Sequence, residues 1–406
     1  EIVDDPHLFV EGVNVNDVNQ GALGNCWFVA ACSALTHHPK IMQWVIPEEK
    51  EQEYPQNKEG IFYFNFYEMG KWKQVVIDDL LPTKNGKLVY SHSKQKNEFW
   101  AALLEKAFAK MFGCYEALIG GTLVESLRDL TGGVPEIFRI NNEQRKNPED
   151  RSSLFNDLKM CFEQKSLIAA SIPAANRKEM EEVLSNGLVK GHAYAVTMVK
   201  VIKLDEKNSG LKRLFSKTDK MEMIRCQNPW GGGEWNGPWS DGSKEWKEVS
   251  EEQKKELGLV VEEDGQFWMC WDDFVDNYNE ITVCHLFNTD FYARTKKYFG
   301  YEFFGEWSVE KHRAGGCINF KDTFLQNPQY LIDIPSDLET DILFSLTHAL
   351  FRPKMYLNTD EDSLFEATAQ SLLAALERDA ASGWGAIVYT IGKDGVSAKT
   401  LKARLD

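Results

Sequence analysis

Long apolar runs are absent from this 406-residue sequence, and none approaches the about 18 apolar residues that a transmembrane helix needs. No secretory leader is recognisable, and because the sequence begins with Glu1 instead of Met we expect a fragment or a processed form. Basic residues are the minority charge, with 46 Lys and Arg against 62 Asp and Glu and a net charge of −16. This balance argues against nucleic acid as a partner and limits any membrane association to peripheral contact.

The eight cysteines include no CxxC pair and show none of the spacings of a disulfide framework. They are Cys26, Cys32, Cys114, Cys161, Cys226, Cys270, Cys284 and Cys317. Neither a zinc site nor a disulfide-rich fold is indicated, and we expect a reducing, cytoplasmic setting. A hydrophobic content of 43% and a charged content of 27% are typical of a globular protein, and the length suffices for two or three domains.

Hydrophobic periodicity and turn residues predict the main helices and strands. The apolar run Trp27–Leu35 indicates a buried helix, and a second helix over 97–111 has one apolar face and ends before Gly113. Strands are predicted over 60–67, 71–77, 166–172, 192–201 and 221–226, with apolar segments over 266–274 and 281–287. The change from helical to strand-rich texture at Gly132-Gly133 predicts a hinge between two subdomains.

A candidate nucleophile stands at the head of the first predicted helix. Gln20 precedes Cys26, with Gly21 and Gly24 between them. Free N–H groups at a helix start favour the reactive thiolate, and the Gln20 amide could donate a hydrogen bond to a developing oxyanion. The alternative is an ordinary core cysteine at the start of a buried helix.

A cysteine nucleophile needs a base and an orienting group, and His192 and Asn228 are the candidates. His192 begins a predicted strand between small neighbours, and Asn228 follows the end of the next strand. An amide there could fix the tautomer of the imidazole. Taken singly, His192 could be a structural histidine and Asn228-Pro229 an ordinary turn.

Together, Gln20, Cys26, His192 and Asn228 have the order of papain-like cysteine proteases, with a stretched separation between cysteine and histidine. The segments QGALGNCWFVAA, LPTKNGKL, EFWAALLEKAFAKMFGCYEALIGG, LVKGHAYAV, QNPWGGGEWNGPWSD and DGQFWM resemble the protease core of calpains. The resemblance covers about residues 1–290. It implies an α+β, papain-like fold with a helical cysteine subdomain over 1–132, a β-rich histidine and asparagine subdomain over 133–290, and a cleft between them.

By this resemblance the chain is a calcium-dependent intracellular cysteine endopeptidase that performs limited proteolysis. Cys26 attacks the peptide carbonyl to form a thioester, His192 acts as base and then acid, and Asn228 orients the imidazole. The oxyanion lies between the Gln20 side chain and the Cys26 backbone N–H. The alternative is a catalytically silent calpain relative that acts as a regulatory or interaction protein.

The resemblance also implies how substrates and partners bind. Gly121 and Gly191 would pair with the backbone of an extended substrate, and Trp230 would pack between the two halves beside the site. Protein substrates are the expected partners, together with a small regulatory subunit or an inhibitor protein.

Two calcium ions, one in each half, are the implied cofactors, held by oxygen ligands that suit a hard cation. For the first ion these are the carbonyls of Val10 and Gly12 and the carboxylates of Asp17 and Glu98. For the second they are the carboxylates of Glu234, Asp241 and Asp264 and a carbonyl near Glu262. Without the resemblance these acids would be interpreted as solvated surface charges.

Three positions depart from the calpain pattern. Gln266 replaces an acidic residue and Val15 replaces an arginine, and in the family these two form an ion pair between the halves. We therefore expect a weaker second site and coupling through other contacts. Asn25 stands where aspartate is usual before the cysteine, and the sequence assigns it no consequence.

The C-terminal part resembles two different families. Residues 291–349, with GEW at 305–307 and AGGC at 314–317, resemble a truncated C2-like antiparallel β-sandwich. Residues 350–406 resemble the C-terminus of a 20S proteasome β-type subunit, without its N-terminal threonine nucleophile, so a fused transcript or gene-model artefact is expected. Within this short α/β tail, a capping box predicts a helix over 364–380, and Asp394-Gly395 predicts a hairpin of strands 386–391 and 396–401.

Overall fold

The computed structural model describes residues 2–54, 56–176, 178–204, 220–289 and 303–331, and the backbone of 385–392 and 395–402. The described residues up to 289 belong to one compact unit, which contains both predicted halves of the protease core, and residues 303–331 belong to a second. Among the described residues, no helix is both long enough and apolar enough to span a membrane.

The first half is built around a buried central helix. Its elements are α1 (Cys26–Leu35), α2 (Pro39–Val45), α3 (Glu49–Gln52), β1 (Ile61–Glu68), β2 (Lys71–Asp78), β3 (Thr83–Lys84), β4 (Lys87–Leu88), α4 (Trp100–Phe112) and α5 (Leu123–Thr131). Every residue of α1 after Cys26 is buried. The ring of Phe28 stacks on Phe108 of α4, with 4.3 Å between ring centroids. Aromatic packing therefore holds α1 in the middle of this core.

The second half is a six-stranded antiparallel sheet with helices packed against it. Its elements are β5 (Val134–Arg139), α6 (Asn142–Lys146), α7 (Pro148–Glu163), β6 (Leu167–Ile172), β7 (His192–Lys203), β8 (Lys220–Gln227), α8 (Glu251–Glu256), β9 (Gln266–Cys270), α9 (Trp271–Asn277) and β10 (Glu280–His285). The strand order is β5-β10-β6-β7-β8-β9. Every neighbouring pair is antiparallel. The fold is thus α+β, as the sequence predicts.

The central strands of this sheet contribute side chains to two separate cores. Leu167 and Ala169 of β6 pack into the core around α1, together with Ala193 of β7. Ile168 and Tyr194, which point to the opposite face, pack with the helices of the second half. This alternation follows from the two-residue period of a strand. It places the start of β7, with His192, directly beside α1.

The predicted hinge falls between α5 and β5. Gly132 ends α5 with a left-handed backbone, φ +66°, and its N–H donates to the carbonyl of Arg128 at 2.8 Å. A Cβ on Gly133 would come within 2.6 Å of the Cys284 Sγ of β10. A glycine is thus required first for the turn and then for close packing against the sheet.

Contacts between the halves also occur around the segment before α1. The N–H of Gln20 donates to the carbonyl of Pro229 at 2.7 Å. Asn19 lies so close to Gly231 that a Cβ on this glycine would be 1.9 Å from Asn19 Oδ1. The Nζ of Lys94 also lies 3.5 Å from the carbonyl oxygen of Glu263. These contacts join residues that precede the nucleophile to the loop that follows Asn228.

Most of the predicted elements of the protease core are present, with two differences. The second helix begins at Trp100 instead of 97, because residues 97–100 first pair with the N-terminal segment through His7 and Leu8. Segment 266–274 divides into β9 and the start of α9 at Cys270, where pairing with β8 ends.

Residues 303–331 differ from the expected β-rich texture. They contain one short helical turn, Phe324–Gln326, and no strand within this range. Phe303, Trp307 and Leu325 are exposed here. Without a buried apolar face, strand pairing in this stretch has no core to stabilise it.

The hairpin predicted in the tail is confirmed at the level of the backbone. Strands β11 (Gly385–Gly392) and β12 (Gly395–Lys402) pair antiparallel, with Gly392 opposite Gly395. The helix predicted over 364–380 lies outside the described residues.

Candidate active site

Cys26 is the first residue of α1, and its thiol faces the start of β7. Asn25 precedes the helix with a non-helical backbone. The thiol is partly exposed, and the backbone N–H groups of Ala193 and Trp27 point at the sulfur. Ala193 directly follows His192, so the packing of α1 against β7 brings the predicted nucleophile next to the predicted base.

His192 and Asn228 form the pair that the sequence predicts. His192 Nε2 lies 2.8 Å from Asn228 Oδ1, and both residues are buried. Asn228 is itself held, because its Nδ2 donates to the carbonyl of Gly233 at 2.8 Å and its Oδ1 accepts from the N–H of Trp230 at 3.0 Å. His192 Nδ1 is buried and has no partner within the described residues. This free nitrogen is the one available to a thiol.

The electrostatic setting keeps both reacting groups neutral in this conformation. Burial raises the pKa of the Cys26 thiol, and the charge of Glu181 acts in the same direction. Burial lowers the pKa of His192 to about 4, although the hydrogen bond to Asn228 acts in the opposite direction. A neutral imidazole with a free nitrogen can accept the proton of a neighbouring thiol.

Gln20 lies at the entrance to the nucleophile loop, as an oxyanion donor must. Its Nε2 donates to the carbonyl of Leu23 at 2.7 Å, while its Oε1 is buried and has no partner within the described residues. An amide nitrogen carries two hydrogens, so one remains for a substrate oxygen. The structure therefore holds the Gln20 side chain against the loop that leads to Cys26, without using all of its donor capacity.

The three predicted substrate-binding residues line the same region. Gly121 is exposed, its backbone makes no hydrogen bond to any described residue, and a Cβ there would lie 2.3 Å from the Trp27 ring. The N–H of Gly191 donates to Ile172, and Met180 fills the space where its Cβ would be. The ring of Trp230 lies 4.7 Å from that of His192. Glycine is thus favoured at 121 by the space that the Trp27 ring leaves and at 191 by a left-handed backbone with φ +64°, whatever binds there.

Of the first predicted calcium set, Val10, Asp17 and Glu98 come together. Asp17 and Glu98 are 1% and 2% exposed and contact each other. Glu98 Oε1 accepts from the N–H of Val10 at 2.7 Å, and Gly12 lies in the same loop with φ +89°. Burial, with a contribution from the Asp17 charge, raises the pKa of Glu98 to about 7. Two buried carboxyl groups in contact must share a proton or hold a cation, so this set fits calcium.

The second predicted set is more open. Glu234 Oε1 accepts from the N–H of Asp264 at 2.9 Å, and Asp241 Oδ2 accepts from the N–H of Glu262 at 3.3 Å. Burial raises the pKa of Glu234 to about 7 and that of Asp241 to about 6, with neighbouring carboxylates adding to both shifts. In the part of the chain that the structure describes, no three His, Cys, Asp or Glu side chains form a group that could hold a metal ion.

Three residues at these sites escaped the sequence-based predictions. Ala193 faces the thiol through its backbone, which leaves no side-chain signal. Glu263 contributes a further charge to the second acidic set. Glu105 is fully buried on α4 and accepts a hydrogen bond from Asn25. A lone acid within the apolar run of FWAALLEKAFAKMF was the available signal for Glu105.

Comparisons with known proteins identify the family of this chain. Residues 1–285 match the model of the calpain family cysteine proteases, and residues 303–364 match domain III of the calpain large subunit. The second match continues past residue 349, the position predicted from the sequence as the end of the β-sandwich.

Several curated calpains are similar over most of this chain. Calpain-5 of Caenorhabditis elegans is 48% identical over 362 residues, which cover 85% of this chain and 56% of that protein. Calpain-5 of Mus musculus is 45% identical over 363 residues, covering 87% and 56%. Calpain-A of Drosophila melanogaster is 44% identical over 351 residues, covering 84% and 40%. The chain thus spans about half the length of the curated relatives it matches, and it belongs to the calpain family of cysteine proteases.

Proposed function

We propose that this chain is a calcium-dependent cysteine endopeptidase with Cys26, His192 and Asn228 as its catalytic triad. The observation that carries the proposal is the buried His192–Asn228 pair at 2.8 Å, whose free Nδ1 lies on a residue adjacent to the one that faces the Cys26 thiol. A histidine with one nitrogen fixed by an amide and the other free is the arrangement that a thiol nucleophile requires.

The chemistry follows from these groups. His192 Nδ1 accepts the proton of the Cys26 thiol as the sulfur attacks the substrate carbonyl carbon. The carbonyl oxygen becomes negatively charged and receives hydrogen bonds from the Gln20 amide and the Cys26 N–H. As the intermediate collapses, the protonated His192 gives its proton to the leaving amine, and a thioester remains. Water, deprotonated by His192, then attacks the thioester and releases Cys26.

Calcium would be held first by Asp17, Glu98 and the carbonyls of Val10 and Gly12. When bound, it supplies the positive charge that these two buried carboxylates lack. Asp17 lies close in sequence to Gln20 and Asn19, which contact Pro229 and Gly231. If calcium orders the segment that carries Asp17, it would therefore also affect these contacts between the two halves.

We propose further that the second site, with Glu234, Asp241, Asp264 and a carbonyl near Glu262, binds calcium more weakly than the first. Gln266 supplies no carboxylate there, and its N–H donates to Asp264 Oδ1 at 2.8 Å. With Val15 in place of an arginine, coupling between the halves would run through the Gln20, Asn19 and Lys94 contacts instead. Calorimetric titration should give one tight and one weak site, and two equally tight, cooperative sites would contradict this.

The cleft would take extended or disordered protein segments, whose backbone could pair with Gly121 and Gly191. Such segments occur at few places in folded proteins, so limited proteolysis is expected. We propose a cytoplasmic location from the eight free cysteines and the acidic balance, with peripheral membrane contact at most. A small regulatory subunit or an inhibitor protein would be the partners.

The decisive experiment is cleavage of an unstructured protein by the full chain, with and without calcium, against Cys26→Ala. We expect calcium-stimulated cleavage by the wild type and none by the variant. If the wild type cleaves no more than Cys26→Ala, the enzyme proposal fails and the chain is a catalytically silent calpain relative.

For the C-terminal tail we propose a fused transcript or a gene-model artefact, from the resemblance of residues 350–406 to a proteasome β-type subunit. Because the match to calpain domain III ends at residue 364, the junction would lie near that position. Amplification of reverse-transcribed RNA from a primer upstream of codon 349 to a primer downstream of codon 364 should give no product from independent sources. A continuous product from several sources would contradict the fusion.

A further inference from the structure

A fully buried carboxylate lies beside the residue that precedes the nucleophile. Glu105, on α4, is 0% exposed. Its Oε1 accepts from Asn25 Nδ2 at 2.6 Å and from Ser91 Oγ at 2.6 Å, and its Oε2 accepts from the Ser91 N–H at 2.8 Å. A buried carboxylate is costly unless such donors surround it, and here all of them are neutral groups. Burial still raises the pKa of Glu105.

Asn25 connects this carboxylate to the reacting atoms. The peptide bond between Asn25 and Cys26 carries the Cys26 N–H, the backbone donor proposed for the oxyanion. Because a peptide unit is planar, the orientation of its carbonyl fixes that of its N–H. The Asn25 carbonyl accepts from the N–H groups of Phe28 at 2.9 Å and Val29 at 3.2 Å. The Asn25 backbone N–H donates to the carbonyl of Leu23 at 2.9 Å, and the Asn25 side chain adds a contact to α4 through Glu105.

The Asn25 side chain binds Glu105 and does not cap α1. Asparagine before a helix normally accepts a hydrogen bond from the first turn, but the Asn25 side chain makes no capping bond. Its Oδ1 is buried and has no partner within the described residues. If Asn25 served only to stabilise α1, its side chain would accept a hydrogen bond from the first turn of this helix. The contact to α4 instead fixes where α1 begins.

We propose that Asn25 and Glu105 are positioning residues, and that the hydrogen bond between them fixes the Asn25–Cys26 peptide and so the thiol and the oxyanion donor. The inference rests on the proposed cysteine peptidase function. It also gives a consequence to the departure at position 25. An aspartate there would meet Glu105 as a second carboxyl group and need a shared proton, whereas asparagine donates without one.

Ser91 offers a matched control, because its hydroxyl makes an equally short bond to the same oxygen. Asn25→Ala and Ser91→Ala each remove one 2.6 Å hydrogen bond to Glu105 Oε1, but only the first acts on the peptide that carries the Cys26 N–H. We expect both variants of the full chain to lose similar thermal stability. We expect kcat to fall by up to about 100-fold in Asn25→Ala, with KM nearly unchanged, and to stay within about threefold in Ser91→Ala.

A second variant separates activity from stability. Asn25→Ser can cap α1 with its hydroxyl but falls short of Glu105, so it should melt at a higher temperature than Asn25→Ala and lose kcat to the same extent. Equal kcat values for Asn25→Ser, Ser91→Ala and the wild type would overturn the proposal. So would a loss of kcat that tracks stability across the three variants.

A readout without turnover keeps this inference apart from the peptidase proposal. The rate at which iodoacetamide alkylates Cys26, followed by mass spectrometry of its peptide, should change in Asn25→Ala and Asn25→Ser but not in Ser91→Ala. If the wild type cleaves no protein yet these rates separate as stated, the peptidase proposal fails and the positioning role stands. Identical alkylation rates in all four proteins would overturn the positioning role.

Discussion

His192 has a ring nitrogen, Nδ1, with no partner within the described residues, and it lies in an environment that disfavours the charged form of the ring. The residue is 1% exposed, and burial lowers its pKa to about 4 from 6.5. The neutral ring suits a base that must accept the thiol proton. The cost appears at acidic pH, because the folded protein resists protonation of this ring while the unfolded chain does not.

This difference predicts a loss of stability in acid that depends on His192. Between pH 6.5 and 4 the unfolded chain binds a proton at this residue that the folded protein does not, so the free energy of unfolding falls as the pH falls. The full effect is about 3 kcal/mol. Urea denaturation at pH 7, 5.5 and 4.5 should show the stability of the wild type converging toward that of His192→Asn, which lacks the titrating ring. A constant difference between the two proteins would contradict this assignment.

Gln20→Ala tests the oxyanion donor. The variant removes the Nε2 hydrogens, one of which donates to Leu23, and leaves Cys26 and His192 in place. We expect kcat to fall by about 10²–10³ with little change in KM, because the lost bond would form mainly in the transition state. Leu23 takes part in this hydrogen bond only through its backbone carbonyl. Leu23→Ile therefore keeps the bond and serves as a control for side-chain packing. A change in KM alone would assign Gln20 to substrate binding.

The sequence predicts the site residues whose proposed roles use their side chains. It misses those whose proposed roles use the backbone or another residue. The roles proposed for Gln20, Cys26, His192 and Asn228 are side-chain roles, which residue type and spacing can indicate. Ala193 acts through its backbone and Glu105 through an intermediary, so neither carries a motif that spacing could reveal.

At the scale of elements, α5 has a complete capping box that follows directly from Gly121. Thr122 Oγ1 accepts from the N–H of Glu125 at 3.2 Å, and the Glu125 carboxylate accepts from the N–H of Thr122 at 3.3 Å. The helix then packs on α1, where Ser126 Oγ donates to the carbonyl of Trp27 at 2.8 Å. The start of α5 is therefore held against Trp27, whose ring lies next to Gly121.

Thr122→Ala should lower the free energy of unfolding by about 1 kcal/mol through loss of this cap. Thr122→Ser keeps the hydroxyl and should recover most of that loss. Both variants can be compared by urea denaturation at pH 7. Equal stability of the alanine and serine variants would mean that the hydroxyl does not stabilise α5.

The elements that local pattern predicts best are those whose ends are set by their own residues. Helix α1 follows its continuous apolar run closely, and β1 follows the alternation of its apolar residues. The start of α4 is displaced because His7 and Leu8, far away in sequence, occupy residues 97–100. The division between β9 and α9 is set by where β8 stops pairing. Asp272 and Asp273 in the first turn of α9 were the local signal for that helix.

On the scale of the whole molecule, the halves of the core meet where small residues allow close approach. Gly231 has φ +67°, and Asn19 occupies the space beside it. Gly86, in the turn between β3 and β4, has φ +72° and nothing within 4 Å of its would-be Cβ. The two glycines share their backbone conformation and differ in what surrounds them.

Gly231→Ala and Gly86→Ala together separate backbone strain from contact between the halves. Each variant carries roughly 1–2 kcal/mol of left-handed strain. Gly231→Ala adds overpacking against Asn19, roughly 1–3 kcal/mol more. We expect the Gly231 variant to be the less stable by that increment in denaturant unfolding. Equal destabilisation would show that Asn19 moves aside freely.

The sheet of the second half has a further consequence for how calpain cores can be divided. Leu167, Ala169, Ala193 and Ala195 belong by chain order to residues 133–290, yet they complete the apolar core around α1. Residues 1–132 expressed alone would expose the face of α1 that these side chains cover. Exchange of halves between related proteases would therefore have to match side-chain volumes across this face, so the two halves are constrained to change together over evolution.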